Sequence, residues 1–144
     1  MISLFLPFMV AGSDYKIKGY REENREEQHY LKDQVRLTTY HNRGAFLNIG
    51  KKRPAIVCVC SVIFTIITGV IFIITLTCKG RGILKAGLGL LLGGAFSNTY
   101  DRIKKGYVVD YLNFPKAPGA IKNVIFNISD FAIIIGSAIS VFHS

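Results

Sequence analysis

The stretch PAIVCVCSVIFTIITGVIFIITLTC, residues 54–78, runs for 25 positions without a charge. A helix rises about 1.5 Å per residue, so this one outreaches the roughly 30 Å hydrocarbon core of a bilayer. A helix in a soluble core keeps one polar face. This segment is apolar all round, the pattern of a membrane span. Its cysteines, Cys58, Cys60 and Cys78, have neither metal-site spacing nor a disulfide framework, and read as small apolar residues.

Three further apolar segments flank it. Met1 to Gly12 is short for a full span and lacks the basic start and the small-residue cleavage site of a secretory signal. It is either a first helix clipped at its start or one that continues through Ser13 and Asp14. Downstream, one segment runs from about Ile83 to Tyr100, with Lys85 placed to snorkel toward the interface. The last runs from about Asn123 to His143 and carries Asp130. The 144 residues thus form a single polytopic domain. The expected fold is an all-α membrane protein with four transmembrane helices, at about 1–14, 54–78, 83–100 and 123–143. Between the first two lies a charge-rich stretch, Lys16 to Lys32, followed by Val35 to Ile49, where Thr38-Thr39-Tyr40 predicts a short strand or two. Pro115 and Pro118 break the 101–122 loop.

Composition agrees with a membrane chain. Half the residues are hydrophobic, and the mean hydropathy is +0.34. The net charge of +9 suits loops that meet lipid headgroups better than a nucleic-acid surface. Orientation is less direct. The short Lys79–Arg81 turn favours a cytoplasmic side, yet 13–53 and 101–122 together hold more Lys and Arg. Charge counting leaves the topology open.

Asp130, in FNISDFAIII (126–135), is the most informative residue. A carboxylate at the centre of a span costs roughly 2.5–3.5 kcal/mol to insert, so it marks function or a bundle-facing partner such as Arg102 or an Asn. Asn127 lies three residues earlier, on the same helix face. Asn127-Ile128-Ser129 also fits the glycosylation pattern, which has no meaning inside an apolar span.

A second constellation is GGAFSNTYDR (93–102) followed by GYVVD (106–110). Small residues from Gly87 to Ala95 let helix backbones approach closely. Asn98, Asp101 and Arg102 cluster at the helix end, where a buried Asp–Arg pair would fix loop geometry. Asp110 follows two β-branched residues in a short extended piece, and bending that piece back would set Asp110 against Asp130. Two carboxylates in a poorly hydrated site titrate as a unit, with one keeping its proton. Such a pair supports acid–base hydrolysis: the ionised member takes a proton from water and the protonated member polarises the scissile carbonyl. His29, His41 and His143 are scattered, and none has a second ligand at metal spacing.

These residues resemble a known family. NTYDRIKKGYVVDYLNF (98–114) and FNISD (126–130) are similar to the signature of signal peptidase II, the lipoprotein signal peptidase. Its Asn-x-x-Asp-Arg, Val-Val-Asp and Phe-Asn-x-Ala-Asp elements put Asp110 and Asp130 on the catalytic dyad. Asn98, Asp101, Arg102 and Asn127 fall on the residues that support it. His41-Asn42-Arg43-Gly44-Ala45-Phe46 resembles the family's His-Asn-x-Gly-Ala-Ala-Phe element, adding Asn42 and Gly44. Ser13-Asp14-Tyr15-Lys16-Ile17-Lys18 resembles its Asp-Gln-x-x-Lys element, adding Asp14 and Lys18. Ser97 stands for a usual Gly, Ser129 for a usual Ala, and Tyr15 for a usual Gln, and one Ala is missing before Phe46. The chain reads as a divergent member.

The resemblance implies a monomeric aspartic endopeptidase of the bacterial cytoplasmic membrane, with 15–53 as an outward-facing region holding a small extracytoplasmic β element. Its substrate would be a diacylglyceryl-modified prolipoprotein, cut just before the lipidated cysteine, among membrane lipids. It would need no metal and no cofactor, bind no nucleic acid, and be blocked by globomycin. Two rivals remain: a paralogue that binds lipopeptides without cutting them, and a small transporter or channel using Asp130 as an ion or proton site. The transporter reading leaves Asp110 and the Asn-x-x-Asp-Arg element unexplained.

Overall fold

The computed structural model describes residues 2–45 and 48–144; the expectation that Phe46 is shifted lies outside the described residues. Four helices, α1 (Ile2–Glu23), α2 (Pro54–Thr77), α3 (Gly82–Lys105) and α4 (Ile128–Phe142), combine with four short strands, β1 (Gln28–Tyr30), β2 (Val35–Asn42), β3 (Val108–Asn113) and β4 (Ile125–Phe126). A 3-10 turn at Gly119–Asn123 precedes β4. The helix α3 is central and packs on the other three.

The helix α2 starts on Pro54, whose missing N–H costs nothing in a first turn. Ser61, Thr65, Thr68 and Thr75 each donate to the carbonyl four residues back, so their hydroxyls are satisfied within the helix. Ile63, Ile66, Ile67, Ile73 and Ile74 are each more than half exposed. A stripe of that size left bare in water would be an aggregation surface, whereas lipid covers it without cost. Among the described residues, α2 is the one helix long and apolar enough to cross a membrane by its composition.

The other helices depart from the expected segment bounds. The first takes the second of its two expected courses, continuing through Ser13 and Asp14, and runs on to Glu23, with Asp14 and Lys18, one turn apart, paired inside the bundle. The third runs five residues past Tyr100 and ends at the left-handed Gly106. The fourth begins at Ile128 rather than Asn123, since Asn127 caps it.

Close packing rests on glycine. A Cβ on Gly94 would collide with the Ser129 backbone oxygen, and one on Gly136 would come within 2.5 Å of the Gly87 oxygen. The helices α3 and α4 therefore touch backbone to backbone both where α4 begins and at its middle, the small-residue contact of membrane bundles. Phe72, Leu84, Leu88 and Leu91 form the apolar core beneath.

The sheet is larger than the strand or two expected. It is antiparallel in the order β1-β2-β3-β4, and two of its strands come from the chain between α3 and α4. In the β2–β3 register Tyr40 faces Asp110 and Asn42 faces Val108. This places Asn42 diagonal to Asp110 on one face, within side-chain reach.

Candidate active site

Alternation along β3 sends Val108 and Asp110 to one face and Val109 and Tyr111 to the other. The first face looks into a cavity of about 450 Å³ whose lining includes Asn42, Asn98, Arg102, Asp110 and Asp130. Asp130 reaches it from the first turn of α4, where it completes a capping box. Its backbone N–H donates to Asn127 Oδ1 at 2.9 Å, and its Oδ2 accepts from the Asn127 N–H at 3.0 Å.

Three amides hold the two carboxylates. Asn42 Nδ2 donates to Asp110 Oδ2 at 2.9 Å, and Asn127 Nδ2 to Asp110 Oδ1 at 2.8 Å. Asn98 Nδ2 donates to Asp130 Oδ1 at 2.9 Å, while Asn98 Oδ1 accepts from Asn127 at 3.1 Å. Burial, and then the negative charge of Asp130, push the Asp110 carboxyl up to about 7 from 3.8. A group at that position holds a proton at neutral pH about as often as not, which suits it to proton transfer.

Behind the cavity lies a buried charge cluster. Lys18, 1% exposed, sits 2.7 Å from Asp14 and 3.2 Å from Asp101, and donates to Asn98 Oδ1 at 3.0 Å. A cation so deep is tolerable only with this many partners. Asp101 does not pair with Arg102 as expected. Neighbours on a helix diverge by about 100°, so Asp101 turns inward to Lys18 and the Val109 N–H, with Lys105 at 3.4 Å. Arg102 instead donates to the backbone oxygens of Gly44 (3.0 Å) and Asn98 (3.4 Å). Gly44 in turn donates its N–H to Asn42 Oδ1, so Arg102 ties the loop after β2 to the cavity wall.

All ten residues singled out in the sequence fall in this network: Asn42, Asn98, Arg102, Asp110 and Asp130 on the cavity, and Asp14, Lys18, Gly44, Asp101 and Asn127 around it. The sequence reading missed Tyr111, which donates to Asp14 Oδ1 at 2.7 Å and accepts from the Ile128 N–H. Burial and the Asp14 charge raise its phenol, so it stays a donor. Its signal was its place beside Asp110 in a strand, which aims it at the opposite face. Tyr40, Asn48 and Asn123, also on the cavity, carried no such signal. A second, more apolar hollow of about 250 Å³ adjoins the first at Asn98, Arg102 and Asp130, walled by Phe64, Ala95, Ile133 and Ile134.

A helical bundle with a long apolar α2 and paired carboxylates under a small sheet defines the fold, and the structural comparison finds the same fold in known proteins. Two solved structures, each titled as a bacterial membrane enzyme obtained by the in meso method, superpose with TM-scores of 0.75 and 0.72. They are 23% and 24% identical, and the match covers 98% of this chain and 85% and 90% of theirs. The signal peptidase II family model matches residues 6–144. The lipoprotein signal peptidase of Halothermothrix orenii is 34% identical over 113 residues, 78% of this chain and 72% of that protein. That of Caldanaerobacter subterraneus subsp. tengcongensis is 28% identical over 110 residues, 76% and 70% of the two chains. The chain belongs to the signal peptidase II family, and so is a membrane aspartic protease of lipoprotein processing, as its motifs suggested.

Proposed function

We propose that the chain cleaves the signal peptide from diacylglyceryl-modified prolipoproteins just before the lipidated cysteine, with Asp110 and Asp130 as the catalytic pair. The observation that carries this reading is that both carboxylates open on one cavity, each gripped by two donors, beside an apolar hollow. In the proposed step a water lies between the two groups. The ionised carboxylate takes its proton, and the resulting hydroxide attacks the carbonyl carbon of the residue before the cysteine. The protonated carboxyl gives its proton to the carbonyl oxygen, forming a neutral tetrahedral intermediate. The first carboxyl then gives its proton to the cysteine nitrogen as the peptide bond breaks, while the second carboxylate takes a proton back from a hydroxyl of the intermediate, leaving a carboxylic acid, a free amine and the pair with its single proton. The apolar hollow suits the membrane-embedded signal peptide, and Asn42, Asn98 and Asn127 fix the carboxylates in place.

In the same reading all four helices span the bacterial cytoplasmic membrane, and the sheet and cavity face outward. The protein works as a monomer, with membrane lipids around α2. The test is cleavage of purified lipidated prolipoprotein by the wild type and by Asp110→Asn and Asp130→Asn. Cleavage by the wild type alone, with both variants folded, supports the reading. Near-normal turnover in either variant removes that carboxylate from the mechanism. Binding without turnover by the wild type points to the lipopeptide-binding alternative, and neither binding nor turnover to the transport alternative.

A further inference from the structure

Three pairs of chain neighbours share one arrangement. Ser97–Asn98 on α3, Asp110–Tyr111 on β3 and Ser129–Asp130 on α4 each send one side chain into the 450 Å³ cavity and the other back to Asp14. Successive side chains point to opposite faces of a strand and diverge by about 100° on a helix, so each pair can serve both sides. On the back side, Ser97 Oγ donates to Asp14 Oδ2 at 2.7 Å, Ser129 Oγ to the same oxygen at 2.5 Å, and Tyr111 to Oδ1 at 2.7 Å. Lys18 supplies a fourth contact at 2.7 Å, and Asp14 is fully buried.

From this we infer that Ser97 and Ser129, which stand where the family usually has Gly and Ala, are in this chain positioning residues for the dyad, acting through Asp14. The Asp14 carboxylate is one shared acceptor for α1, α3, β3 and α4. Each hydroxyl bonded to it fixes the backbone of the residue that carries the chemistry, Asp130 directly and Asn98 as the donor to Asp130. Neither serine lines the cavity or the adjoining hollow, so neither touches the substrate there. Hydrogen bonds to a charged group are among the stronger ones. A carboxylate displaced by a fraction of an ångström loses the near-attack geometry that hydrolysis needs.

The inference rests on the proposed peptidase reading, and the wild type's turnover of lipidated prolipoprotein tests that reading separately. Ser97→Ala and Ser129→Ala remove only the hydroxyl, and alanine favours the helix, so both variants should fold. Ser97→Thr keeps the hydroxyl. Ser97 lines the groove between α1 and α3. Steady-state kcat and KM are measured with thermal unfolding of the same samples. Expected is a kcat lowered about tenfold in each alanine variant, with KM within about twofold and kcat restored in Ser97→Thr. An unchanged kcat in both alanine variants overturns the inference. So does a loss that only tracks the folded fraction, or one that Ser97→Thr does not restore.

Discussion

Asn127 donates its side-chain N–H to Asp110 at 2.8 Å. Its backbone N–H reaches Asp130 at 3.0 Å, and its side-chain oxygen caps α4. One residue thus orients both carboxylates and starts the helix that carries the second. Asn127→Ala should cost about 1 kcal/mol of stability, the usual value of a helix cap. It should cost far more in turnover, about a hundredfold in kcat, because both groups lose an orienting contact. Thermal unfolding and single-turnover cleavage on one preparation separate the two effects. Equal losses in both would make Asn127 a cap and nothing else.

The raised Asp110 carboxyl predicts two pH dependences with defined signs. Its pKa is about 7 in the folded protein against 3.8 ordinarily, so between those values the folded state binds more protons than the unfolded state. Its contribution to stability is therefore complete below about pH 4 and is lost as pH rises through about 7. Activity should share the upper limit, because the proton needed by the carbonyl oxygen leaves the pair there. The measurements are unfolding midpoint and kcat/KM from pH 4 to 9 in detergent. Asp110→Asn should flatten the stability profile across this window; an unchanged slope would show that burial does not hold a proton on Asp110.

How far the sequence revealed this site follows from the kind of signal each residue gives. Asp130 was legible because charge is rare in an apolar run, and α2 because 25 uncharged residues admit little else. Asp14 and Lys18 were legible only through the resemblance. Their i, i+4 spacing is common on solvated helices, and nothing local says that both are buried. Tyr111, Ser97 and Ser129 meet at Asp14 across as many as 115 positions, a relation that exists only once the helices pack. The mistaken Asp101–Arg102 pair shows the same limit, since adjacency in sequence meant divergence on the helix. The sheet was undersized because β1 lies in a charged stretch and β4 is two residues long, too short for any periodicity.

The proposed outward-facing site predicts a topology that charge counting leaves open. Lys116, exposed in the loop before the 3-10 turn, should lie outside the cell, and Lys79–Arg81 and the C-terminus inside. With Cys58, Cys60 and Cys78 replaced by alanine, Lys116→Cys should react with an impermeant maleimide in intact cells, and Lys79→Cys only after permeabilisation. The reverse pattern inverts the bundle and removes the outward active site. The ten basic residues at 16–53 make the experiment informative, because the positive-inside rule alone would place them in the cytoplasm. Two of them, Lys18 and Arg21, are buried in protein contacts, which takes them out of the pool that sets orientation.

The last prediction concerns what the lipid on the substrate contributes. Asp110 and Asp130 open on a cavity that continues into a hollow walled by Phe64, Ala95, Ile133 and Ile134, and α2 beside it turns a row of isoleucines outward. A soluble peptide would have to shed its hydration shell to enter from water. A substrate anchored by two acyl chains is already in the bilayer, and each buried CH₂ contributes about 0.8 kcal/mol to keeping it there. Anchoring raises the local concentration and also sets the depth of the scissile bond against the carboxylates, which lowers the entropic part of the barrier. Unmodified precursor should therefore be cut at least about a hundredfold more slowly than the diacylglyceryl form, the scale expected when positioning is lost. Globomycin should inhibit by competing for the same cavity. A gel-shift assay with matched lipidated and unlipidated prolipoprotein, with and without inhibitor, measures both effects. Equal rates for the two substrates would show that the enzyme positions the peptide by itself and that the lipid serves only to deliver it to the membrane.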